Sequence, residues 1–142
     1  MDGASPQAVE VGLKALSRRE LSRAELVARL ERAGIDREDA ERASSQLAEA
    51  GYQSDERTAT ERARVLAARL QGDVAIRVDL RRRGIAEDDV DAALEGIGSE
   101  LARAEALACR AGDPAQLARA LHRKGFTDYT VEAALRIAGS PE

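Results

Sequence analysis

One six-residue phrase occurs three times in the chain: Leu30-Glu-Arg-Ala-Gly-Ile35, Leu80-Arg-Arg-Arg-Gly-Ile85 and Leu121-His-Arg-Lys-Gly-Phe126. With Gly34, Gly84 and Gly125 aligned, Leu30, Leu80 and Leu121 stand four residues earlier, and Leu26, Ile76 and Leu117 eight earlier. Ile35, Ile85 and Phe126 follow directly; Ala40, Val90 and Val131, then Ala43, Ala93 and Ala134, follow at six and nine. Spacings of four and three place apolar side chains on one helical face. The glycine marks where the first helix stops, because the residue beyond a helix end often needs positive φ. Arg82, Arg83, Arg123 and Lys124 precede the glycines, where a helix dipole favours cations.

Helix starts are marked too. Ser22-Arg-Ala-Glu25 is a capping box, Asp36-Arg-Glu-Asp39 resembles one, Asp113-Pro114 joins a capping carboxylate to a first-turn proline, and Thr127 can cap the last helix. Val74, Ile76, Val78 and Leu80 alternate as in a strand, but the aligned segments are helical and a lone strand has no partner. A further helix precedes each copy, roughly Pro6 to Arg19, Asp55 to Leu70 and Ser99 to Ala111. A three-helix unit of about 45 residues cannot bury its apolar face alone, so neighbours must stack. The expected fold is all-α: an elongated, curved array of tandem three-helix repeats with about nine short helices. Its units are expected at 1–51, with a short N-terminal tail, 52–98 and 99–142.

Chemistry-bearing motifs are scarce. His122 stands alone, and no nucleophile elbow, P-loop or dinucleotide fingerprint is present, so an enzyme is not expected. One Cys and one His give no zinc set, and the acids Glu87, Asp88, Asp89 and Asp91 fit a helix first turn better than a calcium loop. No cofactor is expected. Cys109 is expected to be a small buried residue. With no apolar run near the roughly 20 residues of a span and no secretion signal at the start, a cytoplasmic monomer without membrane contact is expected.

Charge is patchy within a net −4. Seven Arg lie between Arg62 and Arg83, while six acids and no base lie between Ile85 and Glu100. The candidate binding residues are therefore Arg77, Arg81, Arg82 and Arg83 with Arg69 in the middle unit. Arg18, Arg19 and Arg23 form a smaller group in the first unit, and Arg119, Arg123 and Lys124 one in the third. With aromatics at 2%, base stacking is scarce, and any DNA contact would be nonspecific and salt-dependent.

Four segments in register resemble the RecX family, bacterial regulators of the RecA recombinase. They are Ala15-Leu-Ser-Arg-Arg-Glu-Leu-Ser-Arg-Ala-Glu-Leu26 with Leu30 and Gly34-Ile35; Asp55-Glu56-Arg57; Ile76, Leu80 and Gly84-Ile85; and Leu121 with Arg123-Lys124-Gly125-Phe126. The family usually has aromatics where this chain holds Thr58, Arg62 and Gln71-Gly72. The resemblance implies tandem three-helix repeats that lie along the RecA–DNA filament and dampen its ATP hydrolysis and strand exchange. The alternative reading is a helical DNA-binding module acting through phosphate contacts.

Overall fold

The structure, a computed structural model, describes residues 3–139. The described residues form nine helices and no strand: α1 (Pro6–Arg18), α2 (Arg23–Arg32), α3 (Arg37–Glu49), α4 (Asp55–Ala68), α5 (Asp73–Arg82), α6 (Glu87–Glu95), α7 (Glu100–Ala108), α8 (Pro114–Arg123) and α9 (Asp128–Ala138). They pack in successive threes, each with its own aliphatic core. Leu26 and Leu30 centre the first, Ile76 and Leu80 the second, Leu117 and Leu121 the third. The accessible surface is 8491 Å². A compact globule of this mass would expose about 7,100 Å². The excess is that of a row of small bundles.

The threefold phrase is a helix-termination device. In each middle helix the residue after the glycine donates its N–H to the leucine carbonyl five residues back: Ile35 to Leu30 (3.1 Å), Ile85 to Leu80 (3.2 Å) and Phe126 to Leu121 (3.0 Å). Gly34, Gly84 and Gly125 take φ of 93°, 81° and 77°. This is the Schellman arrangement, and it folds the next apolar side chain back over the finished helix. The strand-like alternation resolves within α5. Residues two apart on a helix lie about 200° apart, so Ile76 and Leu80 are fully buried while Val74 and Val78 are 47% and 38% exposed.

Most of the expected caps form: Ser22 and Glu25 close a reciprocal box, Asp113 accepts from the Gln116 N–H, and Thr127 from the Thr130 N–H. Asp36 accepts from the Asp39 N–H, but Asp39 turns away from the box and binds the Ser5 N–H and hydroxyl at 2.9 and 2.6 Å, tying α3 to the start of α1. Those Ser5 bonds hold the Asp39 carboxyl below its ordinary range. Cys109 corrects an expectation: it is exposed, because the buried stripe of α7 runs through Glu100, Arg103, Ala104 and Leu107, and Cys109 lies about 200° round the helix from Leu107.

The repeats join by one recurring chemistry. A middle helix begins with N–H groups that its own turns cannot satisfy, and the following repeat supplies acceptors. The Arg23 N–H donates to Asp55 Oδ1 (2.7 Å), and the Asp73 N–H to Glu100 Oε2 (2.7 Å). Asp55 and Glu100 are each the first residue of the next repeat's leading helix, directly after the capping serines Ser54 and Ser99. The same N-terminus rests on the next repeat's glycine turn. Ser22 Oγ donates to the Arg83 carbonyl (2.5 Å); Gly72 N–H donates to the Lys124 carbonyl (2.8 Å) and Val74 N–H to the Gly125 carbonyl (2.9 Å). Positive helix start thus meets negative helix end.

Approach this close leaves no room for a side chain. A Cβ on Gly84 would lie 2.6 Å from the Ala24 Cβ, and one on Gly125 2.7 Å from the Ala75 nitrogen, whereas Gly34, which faces no neighbouring repeat, has open space around it. Both outer positions lack the joint groups. Pro6 occupies the place of Asp55 and Glu100 without a carboxylate, and Pro114 the place of Arg23 and Asp73 without an N–H.

Polar groups at Thr58 and Gln71 reinforce the two joints, and Arg62 ties α4 to α5 within the middle repeat. The Thr58 hydroxyl donates to the Leu21 carbonyl (3.2 Å), Arg62 holds Asp79 with two bonds of 3.1 Å, and the Gln71 carbonyl accepts from Arg103 Nε (2.9 Å). Arg103 is only 6% exposed and pairs with Asp73. Leu70 takes φ 60° at the end of α4, a conformation costing a branched residue about 1 kcal/mol. Its side chain packs on the third core, and that burial offsets the strain.

Glycine-to-alanine substitutions should separate the two roles of these turns. Gly34→Ala should cost about 1 kcal/mol from the left-handed backbone alone. Gly125→Ala should cost clearly more, since its Cβ also strikes the Ala75 backbone. Urea unfolding midpoints would rank them, and equal losses would contradict the joint geometry.

Glu100 supplies a pH signature. Burial alone would raise its carboxyl, but hydrogen bonds from the Thr127 and Thr130 hydroxyls and from the Asp73 and Thr127 N–H groups hold it below its ordinary 4.5. Its contribution is therefore present above about pH 4.5 and disappears as pH falls through the lower folded value. Asp73 works in the opposite sense: burial and the Glu100 charge raise its carboxyl, so protonation there favours the folded chain. Glu100→Gln should therefore destabilise the chain at neutral pH and flatten the acid limb of its stability profile, read by urea titrations below pH 5.

Candidate functional site

In the middle repeat the basic strip and the acidic belt close on each other. Arg81 makes a two-bond pair with Glu87, Nε to Oε1 at 2.5 Å and Nη2 to Oε2 at 3.1 Å. Arg77 Nη1 reaches Glu87 (3.0 Å) and Asp91 (2.9 Å). The Arg81 bond is the main reason that the Glu87 carboxyl lies below its ordinary range. Arg83 spans the first joint, from Asp79 (2.9 Å) to Glu25 (3.0 Å). Burial would raise the Asp79 carboxyl, but its bonds to Arg62 and Arg83 bring it below the ordinary value. Arg77, Arg81 and Arg83 are thus compensated within the protein, and only Arg82 of this run projects unpaired into solvent.

The first repeat divides its cations. Arg18 lies with Lys14 and Arg29 around a shallow depression of about 180 Å³ without a carboxylate. Arg19 lines the cleft of the first joint beside Arg62, Arg83, Glu20 and Glu61. Arg23 is committed, its Nη2 donating to the Glu41 carbonyl (3.1 Å) and to Ser45 Oγ (2.8 Å).

The third repeat gathers its cations most densely. Arg119, Arg123 and Lys124 of the α8 region meet Arg110, beyond the end of α7, around a groove of about 350 Å³ floored by Leu107 and Ala111. No carboxylate lines it. Arg110, Arg119 and Arg123 have no hydrogen-bond or ion-pair partner among the described residues, and Lys124 Nζ donates only to the Arg69 carbonyl (3.2 Å). Arg69 itself is exposed at the cap of α4. Sequence reading missed Arg110, because it follows a different helix and only the packing of α7 on α8 brings it to Arg119.

One cationic position recurs in every repeat. Arg32, Arg82 and Arg123 are the last residues of α2, α5 and α8, two before the glycine. All are exposed, and none has a partner among the described residues. The dipole accounts for a cation at each site, but the equivalent positions also make an arginine ladder, one free guanidinium per repeat among the described residues. His122 is exposed in the last turn of α8. Among the described residues no group of three or more potential metal-ligating side chains gathers, and no helix is long and apolar enough to cross a membrane.

These features define a class: an all-α tandem three-helix-repeat protein with charged outer flanks. Residues 54–94 match the family model described as RecX, second three-helix domain. The chain is 37% identical to the regulatory protein RecX of Halorhodospira halophila, spanning 96% of this chain and 91% of that one. It is 36% identical to the RecX of Acidithiobacillus ferrooxidans, over 88% and 86%. The crystal structure of RecX from Lactobacillus salivarius superposes with a TM-score of 0.83 over 93% of this chain and 94% of that one. A second crystal structure, of a regulatory protein RecX, gives 0.77 over 90% and 70%. At 17% and 23% identity these two structures speak for the fold. The chain belongs to the RecX family of regulatory proteins.

The ion-pair geometry predicts that Arg77 and Arg81 act on stability. Replacing both by Ala should lower the thermal midpoint at low salt and do so less at about 1 M salt, where screening has already weakened the pairs. Differential scanning calorimetry at both salts reads this, and an unchanged low-salt midpoint would contradict it.

Proposed function

We propose that this chain binds the RecA–DNA filament and restrains its ATP hydrolysis and strand exchange, acting by contact rather than catalysis. Family membership supports the regulatory role. The observation that carries the reading is the arginine ladder. A partner built of identical subunits presents the same acidic or phosphate groups at regular intervals, and Arg32, Arg82 and Arg123 offer one free guanidinium per repeat to meet them. The units so used are 1–51, 52–98 and 99–142. The contact surface we assign comprises Arg18, Arg19, Arg32, Arg69, Arg82, Arg123 and Lys124, while Arg77, Arg81 and Arg83 stabilise the array. Binding as a monomer in the cytoplasm belongs to the same proposal.

The test is the DNA-dependent ATPase rate of RecA with and without the protein. The wild-type chain should slow it. Arg32→Glu with Arg82→Glu should lose most of that restraint, at least tenfold in the concentration required, with helical circular dichroism unchanged. No slowing by the wild type, or full potency in the double variant, would remove the proposal's basis. Binding should also be tighter to RecA-coated than to bare DNA.

A further inference from the structure

The groove on the third repeat calls for an explanation that helix chemistry does not give. Arg123 and Lys124 lie at a helix end and suit its dipole. Arg119 does not: it is inside α8, four residues before Arg123, and like charges at that spacing repel and destabilise an isolated helix. Its counterparts in the other repeats, Ala28 and Val78, carry no charge. Arg110 adds a further cation from beyond α7. In the middle repeat every cation facing another element meets a carboxylate, whereas here four face one groove without any.

We infer that this groove is a site for the sugar–phosphate backbone of a DNA strand; it shares Arg123 and Lys124 with the surface proposed to meet the filament but is centred on Arg110 and Arg119, which that surface does not include. Three guanidinium groups and an ammonium around an open channel suit a row of phosphates, because guanidinium pairs with phosphate oxygens through two parallel bonds. The lining includes no aromatic side chain on which a base could stack, so recognition stops at the backbone. A protein partner fits less well, since docking sites rely on deep apolar or aromatic anchors and this floor offers only Leu107 and small alanines.

The test uses the whole chain and a fluorescein-labelled oligo-dT of about thirty nucleotides, with affinity read by anisotropy. Four neutralised phosphates on a single strand predict a loss of roughly fifty-fold between about 50 and 200 mM salt. Arg110→Glu with Arg119→Glu should weaken binding at least tenfold and roughly halve the salt slope, and the milder Arg110→Gln with Arg119→Gln should fall between. Arg37→Glu with Arg42→Glu, on a remote exposed helix, should leave affinity unchanged. No binding of the oligonucleotide by the wild type at about 50 mM salt, or full affinity in both groove variants, would overturn the inference. So would groove variants that keep the oligonucleotide but lose RecA-coated DNA, because the groove would then face protein. Groove variants that lose the oligonucleotide yet still slow the RecA ATPase would support it and leave the filament proposal to stand on Arg32 and Arg82.

Discussion

The array rests on the unsatisfied N–H groups at the start of each middle helix. In a bundle of three short helices such groups are a liability, since burial without a partner costs about 1–3 kcal/mol each. Here the next repeat removes the liability with a carboxylate from its first helical residue at both joints and, at the second, with carbonyls of its glycine turn as well. The requirement explains several otherwise separate sequence features. Acids follow the capping serines at Asp55 and Glu100, glycines sit where a Cβ would collide, and Thr58 and the Gln71 carbonyl add polar contacts across the two joints. Joints made this way are directional and specific, with little apolar area to bury.

Charge is then sorted by use. Across the middle repeat, guanidinium and carboxylate groups answer one another over distances near 3 Å, so of the seven arginines from Arg62 to Arg83 five are paired, leaving Arg69 and Arg82 free. Uncompensated cations lie at the ends of the middle helices, around the third-repeat groove, at Arg69 and around the first-repeat depression of Lys14, Arg18 and Arg29. An acidic protein can therefore approach a polyanion with chosen faces while its bulk repels unspecific contact.

The fold was legible because its signal is threefold. A single L-x-x-x-G-[IF] phrase is a weak sign of a helix end, but three in register with i, i+4 leucines fix the helix, the stop and the returning apolar residue together. The same comparison holds α5 helical despite its alternating valines. The joints were partly legible as well: Ser54-Asp55 and Ser99-Glu100 recur at one register, a pattern whose meaning appears only when the preceding repeat is set against it. The arginine groups were not. Arg77 meets Glu87 ten residues away across a turn, and Arg103 reaches Asp73 from the next repeat, so sequence proximity gives no sign of either pairing. Cys109 shows a further limit, since a small apolar residue in a helical stretch meets solvent when it falls off the buried stripe.

The prolines at the two outer positions have an evolutionary reading. Only the middle repeat holds both halves of the coupling, the Asp55 carboxylate toward one side and the Asp73 N–H toward the other. Duplicating that segment in place would create a longer chain whose new seam is already furnished. Appending a copy beyond Pro6 or Pro114 would meet a residue lacking the matching group. A lineage built on this coupling lengthens by insertion at its centre.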